Sequence, residues 1–209
     1  MALQAILTGD IVNSTKLSPA KEKKFMNILI DIFIKRGHKI DFFRGDSFQA
    51  YTKDPGDALR LALLSRVAAI SLFKDEKVIV SDVRISIGIG KVKTPVRTLK
   101  TAKGEAFLLS GRKFDEMAKT LQRLAITSPT PLANEGLQVI ADYLNAIFST
   151  MTGKQAEVIL EVLKGETQKA VAKKFKKTKS TIHQRITSGR WPEIEKLLEQ
   201  YGNIIKLLA

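Results

Sequence analysis

Along the chain the apolar positions change period several times, and each change marks a predicted element. The run LQAIL (3–7) is short and continuously apolar, as a buried strand is, and it gives way at Gly9-Asp10 to a polar loop. Ser18 followed by Pro19 supplies an N-cap with proline at the first helical position. From there Phe25, Ile28, Leu29, Ile32 and Phe33 carry a helical stripe as far as Gly37. KIDFF and SFQAY flank Arg-Gly-Asp and predict a β-hairpin. Asp54-Pro55 opens a second amphipathic helix, with Leu59, Leu63, Leu64, Val67 and Ile70 on its apolar side. DVRISIGIGKV (82–92) alternates with period two and predicts a strand, GEAFLLSGRKFDEMAK (104–119) a helix and RLAITS (123–128) a last strand.

The order β-α-β-β-α-β, then α-β, predicts an α+β fold with helices against an antiparallel or mixed sheet. SPTPL (128–132) breaks the pattern and predicts a linker, after which the chain reads as all helix. LQVIADYLNAIFSTM (137–151) has helical spacing, and Thr152 to Gln155 fit a capping box ahead of a helix ended by Gly165. The expectation is two domains, 1–130 and 131–209.

Composition changes this picture in two ways. The 209 residues contain no cysteine and only His38 and His183, which leaves no disulfide, no thiolate chemistry and little support for a zinc site or a Ser-His-Asp triad. The formal net charge is +14, and residues 169–190 hold eight Lys and Arg with no acid among them. Such density points to a polyanionic partner. No basic segment precedes an apolar stretch of signal-peptide length, and no run nears the roughly 20 apolar residues of a membrane span. The expectation is a soluble, cytoplasmic protein without a membrane partner.

The basic stretch TQKAVAKKFKKTKSTIHQRI (167–186) has the pattern of a helix-turn-helix, extending to about 188. Thr167 and Thr178 would cap its two helices, Ala172 would allow their close crossing, and Val171, Phe175, Ile182 and Ile186 would face the core. Lys179, Ser180, Thr181, His183, Gln184 and Thr187 then lie outward, with side chains able to reach base edges or phosphates. Lys169, Lys173, Lys174, Lys176, Lys177, Arg185 and Arg190 would add sequence-independent affinity for double-stranded DNA. The blander alternative is a solvated basic face. Trp191-Pro192 opens the next helix, with Trp191 expected as a core plug. With its capping box, 152–190 resembles the helix-turn-helix of sigma-factor region four. Lys176 stands where such motifs place glycine, and a left-handed lysine there costs about 1 kcal/mol.

In the first part, Gly9-Asp10 and Gly45-Asp46 repeat one figure. If their strands are neighbours, the carboxylates of Asp10 and Asp46 emerge at the same end and form an oxygen-rich site suited to Mg²⁺. Gly9 and Gly45 would let the backbone approach a phosphate. The alternative is two ordinary turns with Asp as a local turn-former.

TGDIVNST, RGDSFQAY, VRISIGIGKV and GEAFLLSGRKFDEMA together resemble the catalytic domain of class III nucleotidyl cyclases, over residues 3–128. That resemblance implies a ferredoxin-like, cyclase-like sheet, Asp10 and Asp46 as metal ligands helped by the Ile11 carbonyl, and Arg112 as the group that steadies a triphosphate. It also implies pairing into a homodimer. The helix has Leu108 where those enzymes carry a ribose-orienting Asn, and Phe42 and Thr101 fall where base-reading residues are expected. Turnover needs those donors in the transition state. The resemblance therefore implies a degenerate domain that binds a Mg-nucleotide or another phosphorylated ligand, more than an enzyme.

Over most of its length the chain is also similar to the SatD family, through its GDIVNS opening, Gly45, Asp46, Phe48 and Gln49, Gly88 and Gly90, and the helix with Gly104, Ala106, Phe107 and Arg112. That family supplies architecture and positions but no reaction. The function expected is a DNA-binding regulator with a degenerate cyclase-like domain. The alternatives are a metal-dependent nucleotide-processing enzyme with accessory DNA binding, and an interaction scaffold that uses neither site.

Overall fold

The computed structural model describes residues 2–43, 45–73 and 81–208, so Arg44 of the hairpin turn lies outside the described residues. The elements run β1 (Gln4–Val12), α1 (Pro19–Ile34), β2 (Lys39–Phe43), β3 (Ser47–Thr52), α2 (Ala58–Ser71), β4 (Asp82–Gly90), α3 (Glu105–Met117) and β5 (Leu124–Thr127). Helices α4 (Pro131–Ser149), α5 (Gly153–Leu163), α6 (Gln168–Phe175), α7 (Lys179–Ser188) and α8 (Trp191–Leu208) follow. The sheet order is β2-β3-β1-β4-β5. β1, β3, β2 and β4 pair antiparallel, and β5 joins β4 in parallel. The first four strands have the ferredoxin-like arrangement of a βαββαβ chain. The fold is mixed α+β, as the element order predicted.

Sequence caps fix several boundaries. Ser18 accepts from the Lys21 amide at the start of α1, and Thr152 and Gln155 close a full capping box on α5. Two expectations are corrected. β1 does not stop before Gly9-Asp10 but continues to Val12, because as the central strand it is paired through Asp82 on β4. α2 is not amphipathic: it is buried on every side, from Ala58 through Ile70. The sheet and α1 cover one flank of α2, and α5 covers another.

Alternation on β1 divides the interior. Ala5, Leu7 and Ile11 enter a large core with α1 and α2, and that core continues into Leu137, Leu144 and Phe148 of α4, Ile159 of α5 and Tyr201 of α8. The expected boundary at 130/131 thus falls between elements that share one core. Ile6 faces the other way, into a small cluster with Tyr51, Val92, Val96, Leu99 and Ala106. A third cluster, Val158 with Val171, Ala172, Ile182 and Ile186, joins α5, α6 and α7. Trp191, expected as a core plug, is half-buried and packs against both the large core and this third cluster.

Asp82 is the partner of a buried cation. Arg66 on α2 is 1% exposed, donates to both Asp82 oxygens at 3.1 and 2.7 Å, and gives a third bond to Asn145 of α4 at 3.2 Å. Asn145 in turn donates to the Leu124 carbonyl at 2.9 Å. One polar network therefore ties α2, β4, α4 and β5. Gly88 marks the closest helix approach: a Cβ there would lie 2.3 Å from the Ala106 carbonyl oxygen of α3. No helix among the described residues is long and apolar enough to cross a membrane.

Candidate functional site

The two Gly-Asp figures meet. Asp10 lies opposite Ser47 across β1 and β3, and the Ile11 amide donates to the Asp46 carbonyl at 3.2 Å. After β1, Asn13 takes a left-handed conformation (φ 58°), a state Asn tolerates better than most residues, and turns the chain into a 3-10 turn at Ser14–Lys16. The Ser14 hydroxyl then donates to the Asp46 carboxylate at 2.7 Å. Gly45 has φ +85°, which the hairpin turn requires and glycine adopts without strain.

The carboxylates do not share a single empty pocket. Asp10 faces Arg84 in register on β4, and the guanidinium donates to both oxygens at 3.1 and 2.5 Å. Both side chains are about four-fifths buried, and the guanidinium also lies 5.1 Å from the Phe114 ring of α3. A positive charge therefore already stands beside Asp10. Among the described residues no group of three or more His, Asp or Glu gathers as a metal cage. Mg²⁺ can be held by fewer carboxylates when phosphates complete its shell, but at Asp10 it would have to displace Arg84. As arranged, these residues fit an arginine-carboxylate pair and not a resident metal.

Two other assignments change. Gly9 is buried, and a Cβ on it would lie 2.7 Å from Cζ of Phe48 and 2.9 Å from the Arg84 carbonyl. Close packing against Phe48 and the β4 backbone is enough to require glycine here, apart from any ligand. Arg112 is not brought to the two aspartates. It is exposed on α3 and lines a separate cleft of about 280 Å³ with Lys113, Glu116, Asn134 and Gln138. The α3 face toward the sheet carries Ser110, bonded to Thr8 at 2.8 Å, and Phe114. Leu108 is exposed on the same helix.

The second candidate is the surface of α6 and α7. Thr167 and Thr178 cap the two helices, accepting from Ala170 and Thr181 amides, and Val171, Ala172, Ile182 and Ile186 are buried beneath. Lys176 holds the turn in the left-handed region, φ 52° and ψ 45°. Lys179, Ser180, His183, Gln184 and Thr187 are exposed, while Thr181 is half-buried in a hydroxyl contact with Thr178. The cations divide into two groups. Lys174 pairs with Glu161 and Arg185 with Glu157, both acids of α5, and Arg190 pairs with Glu193. Lys174 and Arg185 are thus spent on holding α6 and α7 to α5. Lys169, Lys173, Lys176, Lys177 and Lys179 are exposed and form no ion pair among the described residues.

Glu161 is nearly buried. Burial pushes its carboxyl up, but bonds from Lys174 and Lys164 outweigh that and hold it below the usual range. Sequence reading passed over Arg84, Ser14, Glu157 and Glu161. Signals existed: Arg84 is the one basic residue of β4, which apart from Asp82 is otherwise apolar and small, and Glu157 and Glu161 sit four apart on the helix before the lysine-rich segment.

Comparison with solved structures finds weak likenesses to cyclases. A bacterial light-regulated adenylyl cyclase aligns with 60% of this chain and 76% of its own, at 23% identity and TM-score 0.42. The guanylyl cyclase Cya2 aligns over 55% and 70%, at 19% and 0.35. The adenylyl cyclase CyaB from P. aeruginosa aligns over 55% and 71%, at 17% and 0.38. Against another chain of a light-regulated adenylyl cyclase, this protein spans 43% of the other's length. At these scores no residue's role follows from the likeness. No protein-family model and no curated protein matches the sequence.

Proposed function

We propose that the chain is a DNA-binding regulatory protein in which α6 and α7 form a helix-turn-helix and the α+β body is a degenerate cyclase-like domain. The observation that carries this reading is the outer face of α7 and its surround. Short donors and acceptors at Ser180, His183, Gln184 and Thr187 stand within a field of five exposed lysines, while the paired cations are turned back to α5. Exposed lysines bind phosphates and release counterions; the short side chains read base edges. The test is binding of duplex DNA by fluorescence anisotropy. Lys173→Glu with Lys177→Glu weakens it for every sequence, whereas Gln184→Ala changes which sequences are preferred. Equal binding by parent and double variant would sink the reading.

A second reading has its own support. The adjacency of Asp10 and Asp46, tied by Ile11 and Ser14, suits a phosphorylated ligand that brings Mg²⁺ with it, whether merely bound or, in an enzyme, processed. Asp46 and the Ile11 carbonyl would hold the ion once Arg84 swings from Asp10 to the phosphate. Titration of Mg-ATP or Mg-GTP into the parent and into Asp46→Ala separates the readings, and any cyclic or hydrolysed product would favour an enzyme. In either case a homodimer is the assembly that the cyclase resemblance implies.

A further inference from the structure

The lysines of α6 and α7 are not the chain's only concentration of positive charge. The loop from β4 to α3, KVKTPVRTLKTAK (91–103), carries five basic residues and no acid. Its side chains sort by position. Val92, Val96 and Leu99 are buried against Ile6 and Tyr51, and Lys91, Lys93, Arg97, Lys100 and Lys103 are all exposed. The loop is held in shape by its own bonds: Lys93 amide to Lys103 carbonyl at 3.0 Å, Ala102 to Leu99 at 3.3 Å, and the hydroxyls of Thr98 and Thr101 at 2.7 Å. Lys39 on β2 ties the far strand to it by donating to the Val96 and Arg97 carbonyls. Among the described residues, none of the five loop cations, nor the exposed Lys53, is in an ion pair. The nearest acid, Glu105, turns its carboxylate to the Lys91 amide at 3.2 Å.

We infer that this surface, the 91–103 loop with Lys53 and the groove between them, is a second nucleic-acid contact that holds a sugar-phosphate backbone. Three features choose that partner. Five exposed cations are spread over the thirteen residues of the loop, which suits a row of phosphates better than one small phosphorylated ligand. An open groove of about 580 Å³, lined by Lys39, Lys53, Thr94 and Pro95, runs beside the loop. The large apolar side chains of the loop, Val92, Val96 and Leu99, are buried, and the exposed Pro95 alone does not make the apolar face that an interfacial membrane segment requires.

Position adds a consequence. The loop lies on the Ile6 face of the sheet, whereas α6 and α7 lie beyond α5 and α2 on the opposite face. One straight duplex segment cannot touch both, so the loop takes a separate stretch, and it goes beyond the helix-turn-helix reading.

The test uses the full chain carrying Lys173→Glu and Lys177→Glu, so that the α6–α7 surface is disabled. This protein should still bind labelled duplex DNA, and with three phosphates engaged its affinity falls about 40-fold between about 50 and 200 mM salt. Adding Lys93→Ala, Arg97→Ala and Lys100→Ala should abolish that residue of binding. On duplexes long enough to engage both surfaces at once, the same triple change in otherwise unaltered protein should lower the log-log salt slope by about 3. An unchanged slope overturns the inference, as does binding of anionic vesicles that persists when DNA competes. Because these side chains are exposed, thermal melting should not move. Protection of Lys93 and Lys100 from acetylation by bound DNA, read by mass spectrometry on the parent, tests the same contact without any substitution, and absence of protection overturns it too.

Discussion

Asp10 and Arg84 stand opposite one another in register across β1 and β4, and the guanidinium takes both carboxylate oxygens. An arginine thereby supplies, from within the sheet, the positive charge that a metal would bring. Arg84→Ala should make divalent binding at Asp10 and Asp46 about tenfold tighter or more, a change of about 1.4 kcal/mol. Isothermal titration with Mn²⁺ checks it, with the gain cancelled by adding Asp10→Ala. If the variant and parent give identical traces, the arginine is not what excludes the ion.

The buried pair of Arg66 and Asp82 predicts a strong asymmetry between single and double substitution. Arg66→Met should destabilise by about 3–5 kcal/mol, because it strands a buried carboxylate. Adding Asp82→Leu should return a large part of that loss. Urea denaturation of the three variants measures both.

Gly88→Ala tests the approach of α3. Its new methyl would overlap the Ala106 carbonyl and the Ser110 amide, both backbone, so the helix must shift or the strand must bend. A loss of about 1–3 kcal/mol is expected, seen as a lower Tm. Gly111→Ala on the same helix meets nothing and should not lower it.

Acid should loosen the seating of α6 on α5 through Glu161. Its folded carboxyl titrates below its ordinary value, so its contribution is present above that value, near 4.5, and is lost as pH falls through the folded one. Glu161→Gln should remove this part of the acid limb in a stability-against-pH profile. Lys174→Ala should lower stability more than Lys173→Ala, although the two lysines are adjacent. Denaturation midpoints at neutral pH and at pH values below 4.5 distinguish these outcomes.

Much of the fold was legible because local signals agreed with one another. Thr152 with Gln155, Thr167, Thr178 and Ser18 each placed a helix start, and the alternation of 82–92 placed β4. The reading of α2 failed for a physical reason. Period shows one apolar face, but it cannot show that a later helix covers the other, and only Arg60, Ser65 and Arg66 interrupt the apolar run. The site was legible as a pair of aspartates and illegible as chemistry. Register is a long-range property, and it is register that sets Arg84 against Asp10. The division of lysines into paired and unpaired was hidden likewise, since Glu157 and Glu161 read as ordinary exposed positions on α5 until α6 and α7 fold over them.

Trp191 packs against both the sheet-bearing core and the little cluster beneath α7. The helical half is therefore no detachable cassette. Cutting the chain near residue 130 would strip α2 of its outer cover and leave α4, α5 and α8 with a bare oily flank, so neither fragment should survive excision. Any rearrangement that moved these helices to another body would have to carry along the sheet that supports them.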